Sequence, residues 1–163
     1  LLFLPHNEPP QWPRFIENTS GVFVGMKAGT TRGEMFKALL EGITFYLMRA
    51  VTAMQRTGPC PTAFQASGGG SRSDVWMQIR ADITGVPFQR LGVREGSLTG
   101  TAILAAVKAG MFRDNAEAVQ AYVRYERTFT PDPARHERYR EMLALYERLY
   151  PSLEGLLADL ATG

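Results

Sequence analysis

Apolar and polar positions alternate along the chain in blocks whose period switches between that of a strand and that of a helix. Leu1-Leu2-Phe3-Leu4 reads as a short buried strand ended by Pro5. His6 to Arg14 follows as an irregular loop, because Pro9, Pro10 and Pro13 forbid both helix and central strand. Trp12 in that loop reads as an anchor packed on the core. Gly21 to Met26 is a strand bracketed by glycines. Thr31 with Glu34 then forms a capping box, and Met35, Leu39, Ile43, Leu47, Ala50 and Met54 recur three or four residues apart. Phe36, Leu40 and Val51 widen that stripe, which predicts a mostly buried helix stopped by Gly58-Pro59.

The second half repeats the alternation. A β-favouring run from Thr62 to Ala66 leads through three glycines into a helix carrying Trp76, Ile79 and Ile83, ended by Gly85-Val86-Pro87. Phe88 to Leu91 is a short strand. A third helix runs from near Ser97 to Gly110; Gly100, Ala102, Ala105, Ala106 and Ala109 make it thin enough to pack tightly on a sheet or another helix. Asp114 with Glu117 caps a fourth. Beyond Tyr125 to Phe129, Asp132 as N-cap and Pro133 at the first position open a fifth, with Tyr139, Met142, Leu143, Tyr146 and Leu149 on its apolar face. Pro151 is expected to end it, leaving a last short helix from Ser152 to Leu160. Strand and helix in alternation predict an α/β layer fold.

Composition narrows the classes. With 163 residues, 45% apolar and 21% charged, the chain is one ordinary globular domain's worth. A formal net charge of +2 makes no electrostatic case for nucleic acid. Cys60 is the sole cysteine, which excludes an internal disulfide and fits a reducing cytosol, so a cytoplasmic location is expected. His6 and His136 carry no metal-ligand spacing, and no apolar run approaches membrane-spanning length. The chain opens without a methionine, as expected of a piece of something longer.

The stretch with the most chemistry is Gln65-Ala66-Ser67-Gly68-Gly69-Gly70-Ser71-Arg72-Ser73-Asp74. Strand, glycines and helix start together allow backbone to approach a flat ring or a phosphate, since glycine has no Cβ and a helix start has free N–H donors. No Gly-Lys-Ser/Thr follows, as a P-loop requires, and Ser73 stands where the last glycine of G-x-G-x-x-G belongs. Taken alone, the stretch is equally a glycine-rich strand-to-helix turn.

The flanks carry a family. Gly21-x-Phe23-x-Gly25-Met26, then Glu34-Met35-x-x-Ala38-Leu39-Leu40-Glu41 after seven residues, resembles the second signature of the FGGY carbohydrate kinases. Ser67-Gly68-Gly69-Gly70-Ser71-Arg72-Ser73-x-x-Trp76-x-Gln78-x-x-Ala81-Asp82 resembles that family's adenosine motif, nearest its xylulokinase-like branch. Glu95-Gly96-x-x-x-Gly100-x-Ala102-x-Leu104-Ala105 resembles the next family helix, so the likeness spans roughly residues 1 to 112. The resemblance implies the C-terminal, actin-like (ribonuclease H-like) ATPase domain of a sugar or polyol kinase, incomplete at its N-terminal side. It implies ATP and Mg²⁺, with Gly68, Gly69, Gly70, Ser71 and Ser73 on the nucleotide. Gly69 and Gly70 would line the adenine, and Ser73 would meet its edge. The resemblance places the catalytic base and the phosphate-binding loops upstream of Leu1, so no catalytic residue is expected in this chain, and no metal ligand is assigned in it. Asp74 and Asp82 then read as a helix-start charge and a packing contact, and Glu41 as a structural hydrogen-bonding residue.

One departure from the family stands out: His6-Asn7-Glu8-Pro9-Pro10 replaces the Gly-Glu-Arg-x-Pro of many relatives, which leaves the sugar unspecified. The competing reading is a non-catalytic nucleotide-binding or interaction module of the same fold. The family fold also implies two strands upstream of Leu1, between those matching Gly21 to Gly25 and Thr62 to Ala66. Without them, the chain is expected to pair with the missing part of its kinase, form a homodimer, or close the gap with its own strands.

Overall fold

Helix α1 (Arg32–Thr57) starts where the capping box predicts. The Glu34 amide donates to Thr31 Oγ1 at 3.2 Å, and the Thr31 amide donates to Glu34 Oε2 at 2.8 Å. That backbone bond holds the Glu34 carboxyl below the usual carboxylate range. The computed structural model describes residues 1–5, 20–58, 60–93 and 95–162. The loop with Trp12, the departure at His6 to Pro10, and Pro59 lie outside the described residues.

The buried face of α1 shares only Leu40 and Val51 with the expected stripe. Ala38, Leu40, Glu41, Gly42, Thr44, Phe45, Met48 and Val51 are buried, whereas Met35, Leu39, Ile43, Leu47 and Ala50 are half-buried and Met54 is exposed. Phe36, expected to widen the stripe, is 62% exposed. Period picks out the half-buried stripe, but packing puts another side of the helix against the core. Gly42 chooses it. A Cβ built there overlaps the Phe3 carbonyl oxygen and lies 3.0 Å from its carbon, so only glycine lets α1 settle on the first strand.

That strand, β1 (Leu2–Pro5), pairs antiparallel with β2 (Gly21–Val24), setting Phe3 opposite Phe23 with ring centroids 4.5 Å apart. A second sheet has the order β3-β4-β5. Its β3 (Phe64–Ala66) runs parallel to β4 (Phe88–Leu91), and β5 (Tyr125–Phe129) runs antiparallel to β4. Parallel neighbours need a crossover helix, and α2 (Asp74–Thr84) supplies it. Among the described residues no ladder joins the two sheets, so the chain's own strands leave the gap open and β3 remains an edge.

Gly85 ends α2 in the left-handed conformation (φ +69°), its amide donating to Ala81 O at 2.9 Å. Leu4, Phe45, Met48, Ile79, Ile83, Tyr139 and Tyr146 meet in the larger core; Ala66, Met77, Ala81, Phe88 and Phe129 form a smaller one beneath the second sheet.

Helix α3 (Gly96–Lys108) buries Ile103 and Ala106 and packs with α4 (Asn115–Tyr122). Of the small residues expected to allow close packing, only Ala106 is buried. Ala102, Ala105 and Ala109 are exposed, and a Cβ on Gly100 would meet nothing within 4 Å. Helix α5 (Pro133–Thr162) opens at Pro133, with the Arg135 amide donating to Asp132 Oδ1 at 2.9 Å. It then continues through Pro151, where a break is expected. A helical proline costs about 3 kcal/mol in a lost hydrogen bond and a steric clash. Core burial on both sides, Tyr139 and Tyr146 before it and Leu157 after, outweighs that cost. Glu147, whose carbonyl loses its donor, is exposed to water. No helix among the described residues is long and apolar enough to cross a membrane.

Candidate functional site

Between β3 and α2 the backbone makes a tight turn. Gly68 sits at φ +79°, a conformation that favours glycine, and leads into a 3-10 turn over Gly69–Arg72. Ser71 is buried and closes the turn on itself: its hydroxyl donates to Gly68 O at 2.7 Å and its amide to the same oxygen at 3.2 Å. Ser73 caps α2, its Oγ accepting from the Trp76 amide at 3.2 Å. That bond uses a lone pair and leaves the exposed hydroxyl's own hydrogen available to an external acceptor.

The three glycines serve different ends. Gly69 is exposed, and a Cβ there would point into open space. Gly70 is an internal packing glycine, because its Cβ would lie 2.9 Å from Trp76 Cζ3 and 3.4 Å from Arg80 Nη2. Trp76 is itself fixed. Its Nε1 donates to Thr44 Oγ1 on α1 at 3.2 Å, and the Arg80 guanidinium stacks on its ring 4.0 Å from the centroid. Burial lowers the Arg80 pKa from its ordinary value.

On the other side of the turn lies an open cleft of about 370 Å³, lined by Gly68, Ser71 and Arg72 from the turn, by Arg90 to Val93 from the end of β4, and by Glu126. Gly68 and Ser71 are thus brought to one cleft, Gly69 and Ser73 are exposed outside its lining, and Gly70 packs on Trp76. Arg90 and Glu126 are the contributors that periodicity does not single out. A charged residue at the end of a short strand has no local signal, and its neighbours here come from β5 and from the glycine turn. A second, more apolar hollow of about 270 Å³ lies between α1 and Arg80.

The carboxylates expected to be structural have partners that make them so. Glu41 is buried and accepts from the Tyr139 hydroxyl at 2.6 Å and from Lys37. Burial, then that bond, raises the Tyr139 phenol well above its ordinary pKa. Asp82 is buried and accepts from Gln78 Nε2 at 2.8 Å and from the Asp132 amide at 2.9 Å, joining α2 to the start of α5. Asp74 is held below the ordinary aspartate range by its hydrogen bond from Arg90, with Arg127 adding to the effect. Among the described residues no three His, Cys, Asp or Glu side chains converge to hold a metal ion. The open face of Gly69 and the uncommitted Ser73 hydrogen fit a flat ring with polar edges.

The family model described as the C-terminal domain of the FGGY family of carbohydrate kinases matches residues 2–109. This chain belongs to that family. A xylulose kinase from Staphylococcus epidermidis is 33% identical over 162 residues, which cover 99% of this chain and 33% of that protein. An autoinducer-2 kinase from Escherichia coli is 41% identical over 97 residues, 60% of this chain and 18% of that one. The crystal structure of a xylulose kinase from Rhodospirillum rubrum superposes with a TM-score of 0.82 at 34% identity, covering 96% of this chain and 31% of that structure. A glycerol kinase from Plasmodium falciparum, solved with ADP, shares the fold at TM-score 0.72 and 22% identity, covering 90% of this chain and 30% of its own. The chain thus spans about a third of the length of the full-coverage relatives it matches. It has the actin-like ATPase fold of the FGGY C-terminal domain, and its glycine turn and α2 lie within the matched region.

Proposed function

We propose that this chain is the adenosine-binding side of an ATP-dependent kinase that transfers the γ-phosphate of ATP to a hydroxyl of a sugar or polyol. The supporting observation is the turn at Gly68 to Ser73, within an FGGY match, with one open glycine face and one free hydroxyl hydrogen beside a cleft. Gly69 offers the backbone floor for the base, and Ser73 donates to its edge. Gly68 and Ser71 hold the turn's shape, and Gly70 admits Trp76 beneath it. ATP with Mg²⁺ supplies the phosphoryl group. The attacking hydroxyl's base and the metal ligands belong to the rest of the kinase, which is this chain's natural partner across the gap between its two sheets. On this reading the chain alone turns over no ATP. The relatives' names include xylulose and autoinducer-2 kinases, so the acceptor is sought among small polyhydroxylated compounds. The cytosol is the proposed compartment.

Gly69→Val in the full-length protein tests the reading. Its Cβ meets no protein atom, so the fold tolerates it, while the added methyls occupy the space given to the ring. The KM for ATP should rise about tenfold, equivalent to roughly 1.4 kcal/mol of lost binding, with the sugar KM little changed. A folded variant with an unaltered ATP KM refutes the assignment.

A further inference from the structure

The β4–β5 register sets Arg90 directly opposite Arg127. Like charges facing across a ladder repel, and two features answer them. The Asp74 carboxylate, at the start of α2, accepts from Arg90 on Oδ1 and from Arg127 on Oδ2. Both guanidinium groups also lie over the Phe129 ring, 5.1 and 4.8 Å from its centroid.

Arg90 does more than balance charge. Its side chain is only 11% exposed, and its Nε donates to the Ser71 carbonyl at 2.6 Å. Ser71 in turn bonds Gly68 through its hydroxyl. A continuous path of bonds therefore runs from the sheet through Arg90 to Ser71 and Gly68, and a branch runs through Asp74 to the start of α2. The remaining terminal nitrogen, Nη1, faces Glu126 Oε1 at 3.7 Å. All three nitrogens of the guanidinium thus face protein acceptors, so the group is placed to shape the turn and not to grip a phosphate.

We propose that Arg90 is a positioning residue for nucleotide binding, holding the Gly68–Ser71 turn in its binding shape with Asp74 as its charge partner. The inference rests on the reading of that turn as the adenosine floor. A glycine-rich turn released from this clamp gains backbone freedom, which the incoming nucleotide must remove again. The loss therefore falls on ATP binding and not on the sugar or on the chemical step.

Steady-state kinetics on the full-length kinase, paired with thermal unfolding, test this. Arg90→Met keeps the stem and removes the donors; ATP KM should rise about tenfold, with kcat and sugar KM within about twofold of the parent. Arg90→Lys should give a similar rise, since an ammonium cannot serve Ser71 O and Asp74 in one plane. Asp74→Asn should move ATP KM in the same direction, and its combination with Arg90→Met should be no worse than Arg90→Met alone. Asp82→Asn, which loosens the far end of α2, should lower the melting temperature and leave ATP KM unchanged. An unchanged ATP KM in a folded Arg90→Met protein overturns the proposal. So does an equal rise in ATP KM for Asp82→Asn, which would mark a general effect of instability. Should Arg90→Met not fold, the Arg90→Lys and Asp74→Asn proteins decide by the same criteria. If Gly69→Val raises ATP KM and the Arg90 variants do not, this inference alone fails; if Gly69→Val has no effect, the adenosine floor itself fails.

Discussion

Gly42 is where α1 and β1 come closest, and replacing it with alanine gives a prediction with a worked magnitude. In a helix the change is favourable by itself, by about 1 kcal/mol of propensity. The contact opposes it. The new Cβ overlaps the Phe3 carbonyl oxygen and stands 3.0 Å from the carbon and 3.2 Å from Phe3 Cβ. The atoms in the way include backbone, and β1 is pinned by its ladder to β2, so no side chain can simply swing aside. Helix and strand must separate, which strains the Glu41–Tyr139 and Thr44–Trp76 hydrogen bonds that tie α1 to α5 and α2. Overpacking of this kind costs up to about 3 kcal/mol, which leaves a net loss near 2 kcal/mol. For a chain of this size that lowers the melting temperature by about 4–8 °C. Thermal unfolding followed by circular dichroism measures it, with Gly100→Ala as the opposite case. Gly100 is helical with nothing within 4 Å of its missing Cβ, so alanine there should raise the melting temperature by a few degrees, about 1 kcal/mol. A Gly42→Ala protein as stable as the parent would refute the role given to this contact.

Three further outcomes follow from single groups. Tyr146 is buried, and its hydroxyl has no hydrogen-bond partner among the described residues, so Tyr146→Phe should raise the urea midpoint, by about 1 kcal/mol of stability; a lower midpoint would show that the hydroxyl has a partner in solution. Ser73→Ala should lose about 1 kcal/mol of helix capping together with some ATP affinity, and a lower melting temperature with ATP affinity intact would leave Ser73 a cap and nothing more. Asp74 has a pKa below its unfolded value, so its ion pairs add stability at neutral pH that persists down to the ordinary aspartate range and is lost as pH falls through the depressed value. Acid titration of stability should accordingly show a shallower loss below about pH 4 for Asp74→Asn than for the parent, and identical acid limbs would refute the shift.

Much of this was legible before any coordinates, and the legible part is local. The capping box at Thr31 and Glu34, the caps at Asp114 and Asp132, and the helix stop at Gly85 all involve residues within a few positions of each other. Their hydrogen bonds join residues within about one turn of each other, so their partners can be read from spacing. The glycine turn belongs with them, since a φ of +79° at Gly68 is a property of that residue and its neighbours. The FGGY motifs are likewise linear strings.

What needed the tertiary structure is what depends on partners far along the chain. The regular apolar stripe of α1 is only half-buried, because Gly42, on another side of the helix, lets Phe3 in. Pro151 argues locally for a break, yet burial at Tyr146 and Leu157 keeps α5 whole. The small residues of α3 permit close packing without requiring it, and Ala102 and Ala105 stay exposed. Arg90, Arg127 and Asp74 are an ordinary strand residue, another strand residue and a helix-start acid until pairing of β4 with β5 sets the two arginines face to face at the glycine turn. Local conformational preference is written in neighbouring residues; which groups of like or opposite character end up in contact is settled only when distant segments pack.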